Sequence, residues 1–149
     1  MVPEMNELER LVAIEAIKQL KARYCRYADT KAWEEFDALF TDDAQIEFPH
    51  VGYSAAAPEW VKLVREVLDP LVSMHHCHTP EIELIADDEA LGTWAMEDRH
   101  EDPSGENPSH HGYGHYHERY VKRDDKWLIS GVRLDYLWTS SLGPVQAQA

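Results

Sequence analysis

The chain has 149 residues, and its 28 acidic residues outnumber 14 Lys and Arg, giving a formal net charge of −14 at pH 7. This length predicts one domain with a single core, and the hydrophobic content of 44% is typical of a globular protein rather than a disordered one. The negative charge argues against ligands that present phosphates. We therefore expect neither nucleic acid nor an anionic membrane surface as a partner.

The N-terminus and the cysteines bear on location. The acidic, polar opening MVPEMNELER is unlike a secretory signal, and no apolar run reaches the length of a membrane span. Two cysteines, Cys25 and Cys77, are too few for a disulfide framework in a chain of this length. We therefore expect a reduced, cytoplasmic protein with one domain over 1–149, a core at about 6–140 and a flexible C-terminal tail over 143–149.

The first half of the chain is predicted to be largely helical. Residues 6–28 repeat apolar side chains at three- and four-residue steps, which indicates an amphipathic helix, and Asn6 and Glu9 are spaced as a capping box. The predicted apolar stripe consists of Leu8, Leu11, Val12, Ile17, Leu20, Tyr24 and Ala28. The polar segment 29–31 predicts a break. Two shorter helices, over 33–40 and from Pro58 to about 71, and a first strand at 44–48 are expected after it.

The second half of the chain predicts strands. Runs of strand-forming composition, separated by polar turns, lie at 73–86, 90–101, 113–122 and 127–140. Helices that precede a run of antiparallel strands predict an α+β fold with the helices on one face of the sheet. A strongly curved sheet over a long helix would enclose a pocket, which is a natural site for a small molecule.

A histidine cluster is the most unusual feature of the sequence, since residues 75–78 are His-His-Cys-His. Strand alternation places His76 and His78 on one face, in phase with the apolar side chains that follow, and so predicts that these two point inward. Pro80 weakens this prediction because proline in a strand often marks a bulge. One extra residue there would turn His75 inward instead.

Later strands carry further candidates. Alternate residues from Gly92 to His100 form an apolar face, which places His100 at the end of a buried face. Two imidazoles separated by one residue on a strand can bind zinc, iron or copper, so a His-rich metal site is an alternative. The residues of that alternative are His76, His78, Glu81, His115, His117 and Glu118.

Several strings resemble the SnoaL-like families of the nuclear-transport-factor-2-like superfamily in order and spacing. They are Ile14-Glu15-Ala16-Ile17-Lys18, Tyr24 with Asp29, Ser73-Met74-His75, His78-Thr79-Pro80-Glu81-Ile82, Trp94 with Glu97-Asp98-Arg99, and Tyr120 with Trp127. The similarity covers about 8–138, and it is closest to bile-acid 7α-dehydratases and weaker to scytalone dehydratases. It implies a cone-shaped barrel, in which a strongly curved antiparallel sheet wraps over the long N-terminal helix and two further helices.

The closer resemblance implies three catalytic positions. Tyr24, Asp29 and His75 match residues that are catalytic in the bile-acid dehydratases, so the resemblance favours His75 over its neighbour. The fourth catalytic residue of that family is an arginine, and its position here holds Tyr136. Arg133 lies three residues earlier and is predicted to be on the opposite face, which puts an arginine role in doubt.

The weaker resemblance adds a second histidine. His75 and His100 match the two catalytic histidines of the scytalone dehydratases, and Asp29 matches their aspartate. Their two substrate-binding tyrosines fall at Ala28 and Phe48 here, so we do not expect this protein to act on scytalone. Relatives of both kinds imply a homo-oligomer, either a trimer or a dimer.

The resulting hypothesis is a cofactor-free lyase of the dehydratase type that acts on a cyclic or polycyclic hydrophobic molecule. His75 would remove a proton next to a carbonyl, Asp29 would hold its ring, and Tyr24 would donate to the carbonyl oxygen. His100 and Tyr116 would assist the departing hydroxyl. Further substrate contacts are expected from Phe48, Trp94, Tyr116 and Tyr136.

Other functions remain open at this stage. The same pocket could serve a ketosteroid-isomerase-like isomerase or a polyketide cyclase, because these reactions share the first proton transfer. A non-catalytic binding protein, like the β subunits of ring-hydroxylating dioxygenases, is a second alternative because fold does not fix function. We expect no bound cofactor and no metal ion.

Overall fold

The structure is a computed structural model that describes residues 4–145, and its helices lie mainly in the first half of the chain. The helices are α1 (Glu7–Thr30), α2 (Trp33–Asp37) and α3 (Ala57–Leu68), with a single 3-10 turn at Pro49–Val51. The strands are β1 (Phe40–Phe48), β2 (Tyr53–Ala56), β3 (Val72–Ala86), β4 (Glu89–Glu101), β5 (His110–Arg123), β6 (Lys126–Thr139) and β7 (Gly143–Pro144). Within 4–145, no helix combines the length and the apolar character needed to cross a bilayer.

Helix α1 begins as the sequence predicts and ends two residues later than predicted. The backbone N–H of Glu9 donates to Asn6 Oδ1 at 2.9 Å, and the backbone N–H of Asn6 donates to a Glu9 carboxylate oxygen at 2.8 Å. At the other end, Lys31 adopts a left-handed conformation with φ 62°, which stops the helix. Asp29 therefore lies in the last turn of α1 instead of in a break.

The sheet wraps over α1 and is mixed, which corrects the predicted antiparallel arrangement. Its strand order is β2-β1-β6-β5-β4-β3, with β7 beside β6, and β1 runs parallel to β6 with Ile46 opposite Val132. Among the described residues the sheet has two free edges, β2 and β3, so it is an open, curved sheet and not a closed barrel. Alternation identified the strands but carries no information about which strand is the neighbour of β1.

The core lies between α1 and the concave face of the sheet. The inward face of α1 is formed by Ala13, Ile17, Leu20, Tyr24 and Ala28, all buried at three- and four-residue steps. The predicted apolar stripe also included Leu8, Leu11 and Val12, and here the prediction is wrong because all three are exposed. The first two turns of α1 carry no buried side chain, so the helix contacts the core only from Ala13 onward.

The C-terminal segment was predicted to be a flexible tail from residue 143. Gly143 and Pro144 pair with Thr139 and Trp138 of β6, and the N–H of Val145 donates to the carbonyl of Leu137 at 3.0 Å. The rest of the predicted tail, 146–149, lies outside the described residues. The predicted single-domain organisation stays a proposal.

The close approach of β5 to β6 at Gly114 makes a test of this packing. A Cβ at Gly114 would lie 2.1 Å from the carbonyl oxygen of Asp135, whereas the atoms nearest to a Cβ at Gly131 are side-chain atoms of Arg119, the first at 3.6 Å. Since a backbone carbonyl cannot rotate aside, Gly114→Ala should lower the free energy of unfolding by at least ~2 kcal/mol. Gly131→Ala is the matched control and should change it by less than about 0.5 kcal/mol.

Urea unfolding followed by far-UV circular dichroism measures both variants. Equal unfolding midpoints for the two alanine variants would contradict the backbone contact between β5 and β6.

Candidate active site

A cavity of about 350 Å³ opens between α1, α3 and the concave face of the sheet. Its walls are mainly apolar and aromatic, with Phe36, Phe48, Trp60, Tyr116 and Leu134 among the lining residues. Several polar side chains also reach it: His50, His75, Asp98, His100 and Tyr136. An apolar cavity with a few convergent polar groups is the usual form of a small-molecule site.

Asp29 and His75 meet at the wall of this cavity. The Oδ1 atom of Asp29 lies 2.6 Å from His75 Nδ1 and also accepts a hydrogen bond from Ser73 Oγ at 3.0 Å. The other oxygen, Oδ2, accepts the backbone N–H of His75 at 2.9 Å. With three such donors the carboxylate is held in one orientation. When Nδ1 carries the proton that Asp29 accepts, the second ring nitrogen, Nε2, is left with a free lone pair.

His75 points inward because β3 contains a bulge, which corrects the inward placement predicted for His76 and His78 by simple alternation. His78 pairs with Ala95 of β4 and Glu81 with Thr93, so β3 carries one extra residue between these two pairs. Thr79 takes up the irregularity with φ 41°. The extra residue reverses which side chains of the preceding part of β3 face the cavity. His75 therefore points inward, and His76 and His78 point outward.

A second carboxylate, Asp98, lies on the same buried face of β4 as His100. Its Oδ2 atom accepts a hydrogen bond from Tyr136 at 2.6 Å, and its Oδ1 atom lies 3.1 Å from His110 Nε2. Burial alone would raise the pKa of the Asp98 carboxyl, but the hydrogen bonds from His110 and Tyr136 outweigh it and lower the pKa. We did not predict a role for Asp98 or His110, although a carboxylate on an apolar strand face is a signal that could have revealed Asp98.

His100 is held as a neutral imidazole beside these groups. Burial lowers its pKa to about 4, against the opposing effect of Asp98, and nearby His75 and His110 lower it further. Its Nε2 atom is buried and has no hydrogen-bond partner within 4–145, and it lies 3.8 Å from Asp98 Oδ2. The rings of His75 and His100 are 5.6 Å apart, close enough for one small group of a ligand to touch both.

Tyr24 and Tyr116 form the inner end of the cavity above a buried ion pair. Lys21 Nζ lies 3.6 Å from the centroid of each ring and is paired with Glu118. Burial raises the pKa of both phenols, so that each stays a hydrogen-bond donor at neutral pH. Glu118 also accepts a hydrogen bond from Tyr120 at 2.5 Å. This ion pair was not predicted, because nothing in the sequence of α1 marks Lys21 as buried.

Three of the four expected substrate-contact residues line the cavity, namely Phe48, Tyr116 and Tyr136. Trp94 does not, which corrects that prediction. Its indole N–H donates to the hydroxyl of Tyr120 at 2.9 Å, and the ring borders a separate depression beside Cys25 and Cys77. Alternation placed Trp94 on the correct face of β4 but could not give its depth along the sheet.

Arg133 and three histidines of β5, namely His111, His115 and His117, lie on the outer face of the sheet, whereas His110 faces Asp98. Arg133 is exposed and pairs with Asp135 at 3.0 Å, so it does not reach the cavity. His117 is exposed as well, whereas Glu118 points inward to Lys21, which excludes the predicted combination of these two as metal ligands. Inside the cavity, His75, Asp98 and His100 each offer one ligand atom within 4.8 Å of the others, so these three could hold a metal ion.

The chain is similar in sequence to known proteins. A family model described as a SnoaL-like domain matches residues 9–133. A protein of Gibberella zeae named as a probable cyclase is 28% identical over 135 residues, which covers 82% of this chain and 89% of that protein.

Solved structures resemble the whole described chain. A candidate scytalone dehydratase from Novosphingobium aromaticivorans aligns with a TM-score of 0.81 at 23% identity, covering 95% of this chain and 93% of its own. A hexachlorocyclohexane dehydrochlorinase aligns with a TM-score of 0.79 at 21% identity, covering 96% and 95%. At this level of identity the likeness shows the fold, and it confirms the predicted α+β class.

The depressed pKa of His100 predicts how stability depends on pH. The imidazole takes up a proton near pH 6.5 when unfolded but only near pH 4 when folded, so stability is lost as pH falls through this window. Between pH 7 and pH 5 this single group should lower the free energy of unfolding by about 2 kcal/mol. His100→Gln should remove that part of the loss, as measured by urea unfolding at both pH values; an unchanged pH dependence would contradict the neutral imidazole.

Proposed function

The chain belongs to the SnoaL-like domain family, and on this basis we propose that it is an enzyme that converts a hydrophobic small molecule by proton transfer, without a cofactor. The observation that carries the proposal is the 2.6 Å contact between Asp29 and His75 at the wall of an apolar cavity. Relatives named as a cyclase, a dehydratase and a dehydrochlorinase support it, because a positioned base can serve all three reactions.

The first step is removal of a proton from a carbon next to a carbonyl. Nε2 of His75 accepts this proton, and the electron pair of the C–H bond moves into the carbonyl to form an enolate. Asp29 accepts a hydrogen bond from the Nδ1–H of His75 throughout, and it stabilises the imidazolium that forms. Since the His75 side chain is only 10% exposed, little water competes for the ring.

The enolate needs a hydrogen-bond donor that is not itself ionised. Tyr24 lines the cavity, and its raised pKa keeps the phenol protonated. We therefore propose that the Tyr24 hydroxyl donates a hydrogen bond to the carbonyl oxygen of the substrate. The buried Lys21 ammonium lies 3.6 Å from the centroid of its ring and is paired with Glu118.

The second step is loss of a hydroxyl from the neighbouring carbon. The enolate electrons form the new C=C bond, the C–O bond breaks, and the proton held by His75 passes to the departing oxygen to give water. His100 is neutral, so it acts here by donating an N–H hydrogen bond to that oxygen. We propose dehydration of a cyclic or polycyclic hydroxyketone as the overall reaction.

Variants of the Asp29–His75 pair test the first step directly. Asp29→Asn and His75→Ala should each slow exchange of the α-proton of cyclic hydroxyketones in heavy water by roughly 10²–10⁴-fold, because the base loses its partner or is absent. Proton NMR measures this exchange even where no elimination follows. His117→Ala, on the exposed outer face, is the control and should exchange at the wild-type rate; retention of that rate by Asp29→Asn or His75→Ala would remove the pair from the mechanism.

A change at His100 separates the second step from the first. His100→Gln leaves the base intact, so α-proton exchange should persist while release of water falls by roughly 10²-fold, since the departing oxygen loses its donor. Exchange by NMR and product formation by mass spectrometry are followed on the same sample. A parallel loss of both rates would show that His100 acts in proton removal and not in elimination.

A further inference from the structure

The outer face of the sheet carries a second cluster of imidazole and carboxylate groups, on the side away from the cavity. Because of the bulge in β3, His76 and His78 project outward together, and Glu97 of β4 lies opposite His76 in the register. His76 Nδ1 is 3.9 Å and His78 Nε2 is 3.8 Å from the same oxygen, Glu97 Oε1. Two strands thus bring three potential metal ligands to one point.

The geometry suits a tetrahedral metal ion after small side-chain rotations. All three ligand atoms lie within 4.8 Å of one another, whereas zinc bonds of 2.0–2.1 Å separate tetrahedral ligands by about 3.3 Å. The side chains are 52%, 54% and 41% exposed and are free to rotate, and the two histidine–Glu97 separations of 3.9 and 3.8 Å need to close by only about half an ångström. The protein's net charge of −14 favours a cation at this surface.

Free ligand atoms distinguish this outer cluster from the one in the cavity. In the cavity, Asp98 already accepts hydrogen bonds from Tyr136 and His110, and one nitrogen of His75 is occupied by Asp29. Within 4–145, no hydrogen bond of 3.5 Å or less involves the side chain of any of the three outer ligands, which are His76, His78 and Glu97. Their lone pairs are therefore available to a metal ion.

His111 provides a separate sign that the outer cluster lacks a component. Its Nε2 atom is buried and has no hydrogen-bond partner among the described residues, and it lies 3.8 Å from Glu97 Oε2. Carboxylates that bind metals are usually held by a hydrogen bond on the oxygen that does not bind. His111 is placed to supply that bond once Glu97 turns toward a metal.

We propose that His76, His78 and Glu97 form a binding site for a divalent transition metal, zinc foremost, with His111 orienting Glu97 and a fourth position open to solvent. This departs from the expectation of no metal, and from the sequence alternative that paired these histidines with Glu81. The site joins β3 to β4 beside His75, so bound metal should also raise the melting temperature.

Calorimetric titration of zinc chloride into tag-free, metal-stripped protein tests the site. We expect one zinc per chain, with affinity reduced at least tenfold in His78→Gln and Glu97→Gln and less in His111→Gln. His117→Gln, an exposed histidine on the same face, is the matched control and should bind as wild type. His75→Gln is the control for the group of possible ligands in the cavity, which are His75, Asp98 and His100. This variant should also bind zinc as the wild type does.

Three results would overturn the proposal. The first is absence of one-to-one binding at roughly 100 μM zinc. The second is several weak sites that are insensitive to His78→Gln and Glu97→Gln, which would indicate adventitious binding only. The third is loss of binding in His75→Gln with retention in His78→Gln, which would place the metal in the cavity.

Discussion

The Asp29 carboxylate ties the end of α1 to the edge strand β3, and the geometry of the cavity depends on that contact. A carboxylate in the last turn of a helix faces the negative end of the helix dipole, which is unfavourable. Here the backbone N–H of His75, the Ser73 hydroxyl and the imidazole ring offset it with three hydrogen bonds. The same carboxylate therefore positions the backbone of β3 and orients the ring that faces the cavity.

The two carboxylates beside the cavity histidines, Asp29 and Asp98, have different surroundings, and this difference supports separate roles. Asp29 is partly exposed and interacts mainly with β3, whereas Asp98 is buried and is held by Tyr136 and His110. Burial of His100 beside Asp98 keeps that imidazole neutral. When two titratable groups in one pocket have different environments, their pKa values differ. The pocket can then hold a base and a neutral hydrogen-bond donor at the same pH.

The bulge at 79–80 divides one short histidine cluster between the two faces of the sheet. Without the extra residue, His76 and His78 would point into the cavity and His75 would point to solvent. With it, the inward histidine meets Asp29 and the outward pair meets Glu97. A single irregularity in β3 thereby sets the composition of both the cavity and the outer cluster.

The sequence by itself determined the α+β class, the capped start of α1 and the four long strands, since these depend on periodicity and capping. The pair Asp29 and His75 was implied only by the resemblance to the SnoaL-like families, because strand alternation favoured His76 and His78. Only the tertiary structure decided which histidines face inward, the parallel pairing of β1, and the positions of Asp98, His110 and Lys21. Strand register and depth along a sheet arise from contacts between distant residues, and local alternation carries no information about those contacts.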